Sequence, residues 1–317
     1  MKKNTARVIC ASLSMILFSI MALGCTSSTG EFNRLASTGL DTKSILLTNS
    51  KSTSEKLAAH GKAIYTISDE VIVDNEYCTF QIKKAAEDSI WGFTLKVFCE
   101  NKTPDKTLMF SLDNVSVNGY MVDPFWANEV AAGKKSNSEI SFSSSSFEEI
   151  GITTADEIIF TLNVYDSDDW MADSIVKDTF RIYPTGLNAD SVIYPERKTA
   201  STEQVVINND QVCFVILETG IDSIWGYSLH CYLENKTDKV LTFSWDDVSV
   251  NGFMIDPFWA AEVAPGARSY SDISFSDSDF EENDIVSVEE IEYTMNIYDS
   301  DDWLGDDLFE STLVYKP

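Results

Sequence analysis

Histidine is nearly absent from this chain: only 2 occur among 317 residues. His60 lies in a Ser/Thr-rich segment, and the position that corresponds to His230 in the duplicated region described below is Lys96. A serine or cysteine nucleophile needs a nearby base, most often histidine. The sequence also has no Gly-x-Ser-x-Gly elbow, phosphate-binding glycine loop or Cys-His metal cluster. We therefore predict a protein that is not an enzyme, and a hydrolase using paired carboxylates is the weakest alternative.

Basic residues are also scarce. There are 23 Lys and Arg against 51 Asp and Glu, which gives a formal net charge of −28. Such a chain repels phosphate backbones, so a nucleic-acid partner is excluded. The acidic surplus favours cations and basic partners, although most surface charge of this kind only keeps a protein solvated.

Long apolar runs are missing except at the N-terminus. Basic residues precede an apolar run over residues 8–23, which is short and interrupted for a mature transmembrane helix. The pattern predicts an export signal over residues 1–25. Its ending, Ala22-Leu23-Gly24-Cys25, resembles a bacterial lipobox. The usual order has leucine three residues before the cysteine and a small residue next, and here these two residues have swapped positions. We predict, in preference to ordinary secretion, that Cys25 is lipidated and that this lipid holds the exported protein at the outer face of the cell membrane.

Residues 26–69 are rich in Ser and Thr and predict a flexible stalk. Beyond them the sequence is duplicated. Residues 71–75 match 205–209, residues 88–92 match 222–226, and, after one extra residue at Pro104, residues 123–127 match 256–260. The copies span residues 70–184 and 204–317, and residues 185–203 form a linker in which residues 192–194 could add an edge strand.

Within each copy the apolar residues alternate with polar ones, as they do in half-buried strands. Strands are predicted at residues 93–100, Leu108–Val117 (closed by Asn118-Gly119), 139–142, 158–164 and 178–183, and single helical turns at residues 147–150 and 280–282. About seven short strands with no long helical segment predict an all-β fold of two tandem antiparallel immunoglobulin-like β-sandwich domains.

The copies also carry Glu-Asn-Lys-Thr after a strand, at residues 100–103 and 234–237, and a Gly133-Lys134-Lys135 turn before a strand. In these features the chain resembles surface lipoproteins of Gram-positive bacteria with tandem immunoglobulin-like domains of unknown function. The second copy has Gly266-Ala267-Arg268 at the turn, a looser match. The resemblance implies a fold and a location, and it implies no activity.

Four cysteines remain in the mature chain, two in each copy: Cys78, Cys99, Cys213 and Cys231. In an exported protein this predicts one disulfide in each half. The alternative is buried free thiols. Aligned without gaps, Cys78 matches Val212 and Cys213 matches Thr79, so the two pairs do not occupy equivalent positions.

One acidic turn occurs twice, as Tyr165-Asp166-Ser167-Asp168-Asp169-Trp170 and Tyr298-Asp299-Ser300-Asp301-Asp302-Trp303. Clustered carboxylates suit calcium, which takes six to eight oxygen ligands. In a straight strand Asp166 and Asp168 would lie about 6.6 Å apart, so a metal site requires the chain to curl. The candidate metal ligands are Asp166, Asp168, Asp169, Asp299, Asp301 and Asp302; the alternative is a solvated turn capped by tryptophan.

Tryptophan recurs outside the alternating runs. Trp126 and Trp170 have counterparts in Trp259 and Trp303. Aromatic rings beside carboxylates are what a sugar-binding surface needs, although aromatic residues in a sandwich more often lie in its core. These four tryptophans are the candidate ligand-binding residues. The sequence thus favours a membrane-anchored, non-catalytic binding or adhesion module for an extracellular protein or glycan, with cation-assisted carbohydrate binding as the second hypothesis.

Overall fold

The computed structural model describes residues 63–88, 92–169, 171–222, 226–257, 259–302 and 304–317. The export signal, Cys25, nearly all of the stalk, Trp170 and Trp303 lie outside the described residues. Residues Tyr65–Pro317 form one compact unit. Across the described ranges, none of the helices has the length and apolar character needed to cross a membrane.

Repeat 1 has nine strands and one short helix in its described part. They are β1 (Ser68–Asp74), β2 (Cys78–Asp88), β3 (Gly92–Asn101), β4 (Leu108–Val117), β5 (Tyr120–Met121), β6 (Ala127–Val130), β7 (Lys135–Phe142), α1 (Ser144–Ile150), β8 (Ile158–Asp166) and β9 (Val176–Ile182). The predicted strand at Leu108–Val117 is confirmed, and so is the helical turn, which extends back to Ser144.

Repeat 2 contains the same series. Its elements are β10 (Gln204–Asn208), β11 (Val212–Asp222), β12 (Gly226–Asn235), β13 (Leu241–Val250), β14 (Phe253–Met254), β15 (Ala260–Val263), β16 (Arg268–Phe275), α2 (Asp277–Glu282), β17 (Ile291–Asp299) and β18 (Phe309–Tyr315). The helix begins where Ser276 accepts a hydrogen bond from the Ser278 amide, a standard N-cap interaction.

Each repeat is a sandwich of two antiparallel sheets. In repeat 1 one sheet has the order β1-β2-β3-β7 and the other contains β5-β4-β8-β9, with β6 also on β4. This separates the strands as in immunoglobulin domains, where A, B and E share one sheet and C, F and G share the other. Repeat 2 has the orders β10-β11-β12-β16 and β14-β13-β17-β18. The predicted all-β, immunoglobulin-like fold is confirmed.

The core of each sandwich lies between its sheets because alternate residues of each strand point inward. In β3, Leu95, Val97 and Cys99 are buried whereas Lys96 is exposed. Repeat 2 adds Trp245 on β13, where repeat 1 has Leu112. The Trp245 ring stacks on Tyr293 of β17, with 3.7 Å between ring centroids. Because β13, β17 and β18 are paired in the order of immunoglobulin strands C, F and G, Trp245 lies on the strand that carries the buried tryptophan of immunoglobulin domains.

The two repeats share a sheet. The β5 strand of repeat 1 runs parallel to β16 of repeat 2, with Tyr120 beside Arg268. The Arg268 amide donates a hydrogen bond to the carbonyl of Gly119 (2.9 Å). As a result, one sheet continues from β10 to β9, and the copies are joined by more than the covalent connection.

The connecting segment, residues 185–203, is fixed to repeat 1. The Thr185 hydroxyl bonds the Asp156 carboxylate at 2.9 Å, and the Tyr194 hydroxyl donates to Glu157 at 2.8 Å. A short 3-10 helix occupies Ala189–Ser191. In this described segment, residues 192–194 do not form the edge strand considered from the sequence. They run from repeat 1 towards Tyr232 and Arg268 of repeat 2.

Candidate functional site

The acidic turns begin with the last two residues of β8 and of β17, and a lysine pairs with the first aspartate of each turn. The Asp166 carboxylate pairs with the Lys106 ammonium at 3.1 Å, and its other oxygen accepts the Asp168 amide at 3.1 Å. The nearby ammonium lowers the pKa of Asp166 and the Asp166 carboxylate raises the pKa of Lys106. Both oxygens of this carboxylate are therefore engaged by the fold.

Repeat 2 builds the turn in the same way. The Asp299 carboxylate accepts a hydrogen bond from the Lys239 ammonium at 2.6 Å and another from the Asp301 amide at 3.0 Å. The Ser300 amide donates to the carbonyl of Val240 at 2.9 Å, which ties the turn to the preceding loop. The same contacts thus form independently in both copies.

This geometry does not gather the carboxylates predicted to bind a metal. Asp168, Asp169, Asp301 and Asp302 are exposed on the turns, while the first aspartate of each turn faces a lysine. Within the part of the chain that the structure describes, no group of three or more His, Cys, Asp or Glu residues is arranged to hold an ion. The first carboxylate closes the turn, because an aspartate readily accepts the amide two residues on.

Trp126 and Trp259 lie in the core. Each residue is 8% exposed, and each indole N–H donates to a serine of the facing strand, Ser138 at 2.6 Å and Ser271 at 3.0 Å. The prediction that these two rings offer open faces to a sugar is wrong in this structure, because the hydrogen bond that satisfies each indole also directs its ring inward. Trp170 and Trp303 lie outside the described residues, so that part of the prediction stays a prediction.

Three exposed apolar residues are sequence neighbours of the tryptophans. Phe125 is 71% exposed and has a φ of 41°, a left-handed conformation that a bulky residue seldom adopts. Asp123 stabilises that conformation by accepting the Phe125 amide at 2.8 Å. Beside the acidic turns, Met171 and its counterpart Leu304 are 78% and 65% exposed. The sequence signal for these positions was their place in turns rather than in alternating strands.

The four described cysteines are buried free thiols, so the alternative to the predicted disulfides is the one found. In repeat 2 the reason is geometric: Cys213 belongs to the apolar cluster continuous with repeat 1, and Cys231 belongs to the core cluster of repeat 2. The two side chains leave opposite faces of their sheet. Burial raises the pKa of Cys78 to about 11 and that of Cys99 to about 12, which keeps these thiols protonated and unreactive.

The junction between the repeats combines aromatic stacking with polar contacts. Tyr120 is fully buried and stacks on Tyr270 with 5.8 Å between centroids. The Arg268 guanidinium lies 5.7 Å from the centre of the Tyr120 ring, within the range of a cation–π contact. The Tyr120 hydroxyl donates to the carbonyl of Pro195 at 3.2 Å. The Ala264 amide contacts the sulfur of Met121 at 3.5 Å.

A groove of about 590 Å³ lies between the connecting segment and repeat 2, beside this junction. Its walls are residues 192–197, Tyr232, Glu234 and Arg268. Its two guanidinium groups are balanced locally, since Arg197 pairs with Glu203 at 2.8 Å and Arg268 with Glu234 at 3.4 Å. The groove volume is within the range of ligand sites, yet its charged groups pair with one another, so we interpret it as a gap between the connecting segment and repeat 2.

The strand order, the two cores and the shared sheet define the class of the protein: an all-β chain of two immunoglobulin-like sandwiches fastened to each other. No family model matches the chain, and no curated protein matches it. Among solved structures, the chain is similar to the Salmonella enterica SafA pilin in complex with the SafB chaperone, at 13% identity, with 77% of this chain and 98% of that chain covered and a TM-score of 0.20. A likeness at that score carries no argument, and the fold is established by the topology described above.

Proposed function

We propose that this protein is an exported lipoprotein, anchored through Cys25 at the outer face of the cell membrane, and that its tandem repeats form a non-catalytic binding or adhesion module. The junction of the repeats is the observation that supports this proposal. It fixes two copies of the same loops at a constant spacing. A ligand with repeating units could then engage both copies, and the second contact would form at a high effective concentration.

The loops that follow β8 and β17 offer the matching contact surface. Each carries two exposed carboxylates beside an exposed apolar side chain, Met171 in repeat 1 and Leu304 in repeat 2. This combination suits a basic, partly apolar surface on an extracellular protein. The resemblance to Gram-positive surface lipoproteins supports a partner outside the cell.

Anchoring is tested by fractionating cells that express the chain. The wild-type protein should remain with the membrane and should be cleaved when protease is added to intact cells. Cys25→Ser should appear in the medium. Retention of Cys25→Ser on the membrane would contradict lipid anchoring.

Binding is tested with a labelled chain of residues 26–317 on panels of extracellular proteins and glycans. Met171→Ser combined with Leu304→Ser should weaken capture more than either single change, because the loops act together. Ile221→Ser is the matched control, since Ile221 is 85% exposed and lies away from both loops in β11. Equal loss in the control, or capture unaffected by the double change, would refute these loops as the binding surface.

A further inference from the structure

The junction of the repeats uses a different surface of each repeat. Repeat 1 contributes a docking hairpin, residues 118–121, and repeat 2 contributes a receiving edge, residues 264–270. The hairpin is the Asn-Gly turn between β4 and β5, with φ of 47° at Asn118 and 78° at Gly119, as a tight hairpin requires. A contact between unlike surfaces is heterologous, and it leaves one surface of each kind unused.

Both surfaces are present a second time and are exposed there. The second docking hairpin is residues 251–254. Its Phe253 is 46% exposed and its Met254 69%, whereas Tyr120 of the first hairpin is 0% exposed. The second receiving edge is residues 131–137. Ala131 and Lys134 are exposed there, whereas their counterparts Ala264 and Ala267 are 5% and 3% exposed.

The second docking hairpin has the conformation of the first. Asn251 and Gly252 have φ of 51° and 86°, so the same two-residue turn presents the next two side chains. Met254 keeps the methionine of Met121, and Phe253 keeps the aromatic ring of Tyr120. In the described residues β14 pairs only with β13, at the end of its sheet.

The second receiving edge keeps the register of the first. Lys135 pairs with Glu100 across β3 and β7, as Arg268 pairs with Glu234 across β12 and β16. Since the Arg268 amide points outward to Gly119, the Lys135 amide points outward too. Over the described ranges β7 ends its sheet and has no strand on that side. Lys135 is also a cation, like its counterpart Arg268, whose guanidinium lies over the Tyr120 ring.

We propose that copies of this chain associate head to tail, with residues 251–254 of one copy docked on residues 131–137 of the next. The Lys135 amide would donate to the carbonyl of Gly252, and the Lys135 ammonium would face the Phe253 ring. The Ala131 amide would meet the sulfur of Met254. The contact is heterologous, so each added copy leaves the same two surfaces free and the chain of copies stays open.

This association is weaker than the junction within one chain, for two reasons seen in the structure. Asn137 stands where Tyr270 stacks on Tyr120, and Phe253 has no hydroxyl like that of Tyr120, which bonds Pro195. If the copies are confined to one membrane surface, their effective concentration is raised, and a weak contact between neighbouring copies can form. The inference itself depends on the two free surfaces and is independent of lipid anchoring and of any outside ligand.

The first test is sedimentation velocity of residues 26–317 over a wide range of protein concentration. The sedimentation coefficient should increase with concentration. Phe253→Asp should raise the concentration needed for association by at least about tenfold, because it removes a ring that is exposed in the single chain and would be buried on association. Ile221→Asp changes another exposed apolar residue, one outside both surfaces, and should leave association intact. A coefficient that stays constant up to the solubility limit would overturn the proposal.

The receiving edge is blocked with Lys135→Pro, which removes the outward amide at a position where an edge strand tolerates proline. Lys135→Ala keeps that amide and should retain more association than the proline variant. Far-ultraviolet circular dichroism and melting curves confirm that each variant folds. If Lys135→Ala and Lys135→Pro lose association equally, strand pairing is not the contact.

A mixture distinguishes head-to-tail association from every symmetric dimer. Phe253→Asp retains only a receiving edge and Lys135→Pro retains only a docking hairpin. Each alone should be monomeric, and together they should form a dimer that does not grow. Asn137→Tyr should restore the missing stacking partner and lower the concentration for association by about three- to tenfold. A mixture that stays monomeric while the wild type associates would refute the assignment of the two surfaces.

Discussion

Strands β2 and β11 hold the same place in their repeats, yet β2 is buried on one face and β11 on both. Gln81 and Lys83 on the outer face of β2 are partly exposed, and their counterparts Val215 and Leu217 are 1% and 4% exposed. These β11 residues belong to the apolar cluster that contains the core of repeat 1. The two copies therefore share a fold while repeat 2 has become apolar where the other repeat and the connecting segment cover it.

The cores differ in the aromatic surroundings of the equivalent tryptophans, because, among the described residues, Trp259 of repeat 2 contacts two aromatic rings and Trp126 of repeat 1 contacts one. The ring centroid of Trp259 lies 6.0 Å from that of Phe214 and 5.9 Å from that of Trp245, whereas the Trp126 centroid lies 5.9 Å from that of Phe80. Removing either tryptophan leaves a cavity, and the loss of stability grows with the volume of that cavity. Trp259, which is packed against two aromatic rings, should therefore be the more costly of the two to remove.

The largest effect should come from Trp259→Ala. We expect the free energy of unfolding in urea to fall by about 3 to 5 kcal/mol, and to fall less for Trp126→Ala. Trp259→Phe and Trp126→Phe keep one aromatic ring but lose the indole N–H and part of the buried ring volume, so each should cost less than its alanine variant, about 1 to 3 kcal/mol. If either alanine variant keeps full stability and instead loses sugar binding, the ring is at a ligand surface and its placement in the core is incorrect.

An exchange between the outer faces of β2 and β11 should give the next effect. Val215→Gln puts an amide into an apolar cluster, and we expect a loss of about 1 to 3 kcal/mol in the free energy of unfolding. The reverse change, Gln81→Val, lies on a partly exposed face and should change stability by less than about 0.5 kcal/mol. Equal effects in chemical denaturation would show that the two faces are equivalent.

Most of the fold could be predicted because it depends on patterns within one repeat. The alternation from Leu108 to Val117 predicted β4 with its observed bounds, and the Asn118-Gly119 pair marked the turn that follows. The two-residue strands β5 and β14 are too short to show a period of two. The acidic turns were located correctly, but their partners, Lys106 and Lys239, lie far away in sequence.

The junction could not be predicted in the same way. Its contacts join residues of different copies, such as Tyr120 and Arg268, and no periodicity links two such positions. A signal was nevertheless present in the differences between the copies: where repeat 1 has Thr79, Gln81 and Lys83, repeat 2 has Cys213, Val215 and Leu217. When one copy of a strand is a continuous apolar run and the other copy alternates apolar and polar residues, the first copy is expected to be buried on both faces.

A smaller effect should come from His230, which stands where repeat 1 has Lys96. Its ring stacks on Tyr270, and Nδ1 lies 2.8 Å from Asp272; Glu149 of repeat 1 lies 3.8 Å from Nε2. The Asp272 carboxylate, with Glu149 and Glu218 nearby, raises the pKa of His230 despite its partial burial. In repeat 1 the equivalent pair is Lys96 with Glu139, at 3.6 Å.

A histidine whose pKa is raised in the folded state stabilises the fold fully below its unfolded pKa of about 6.5. That contribution is lost as the pH rises through the raised pKa. We expect wild type to lose up to about 1 kcal/mol relative to His230→Lys between about pH 5.5 and about pH 8, because lysine stays charged over that range. Parallel stability curves for the two proteins would contradict a role for this ion pair.

The smallest effect, a null one, is expected at the acidic turns, where the two copies are most alike. Calcium and a chelator should give the same melting midpoint for the wild-type chain, because both oxygens of Asp166 and of Asp299 are already engaged by a lysine and a backbone amide. Lys106→Ala releases one of these oxygens in repeat 1 alone and leaves repeat 2 as an internal control. A calcium-dependent rise in that variant would show that the lysine takes the place of an ion. A rise in the wild type would mean that the exposed carboxylates Asp168 and Asp169 can gather around a cation without Asp166, and the turn would then be a binding site in addition to a closing loop.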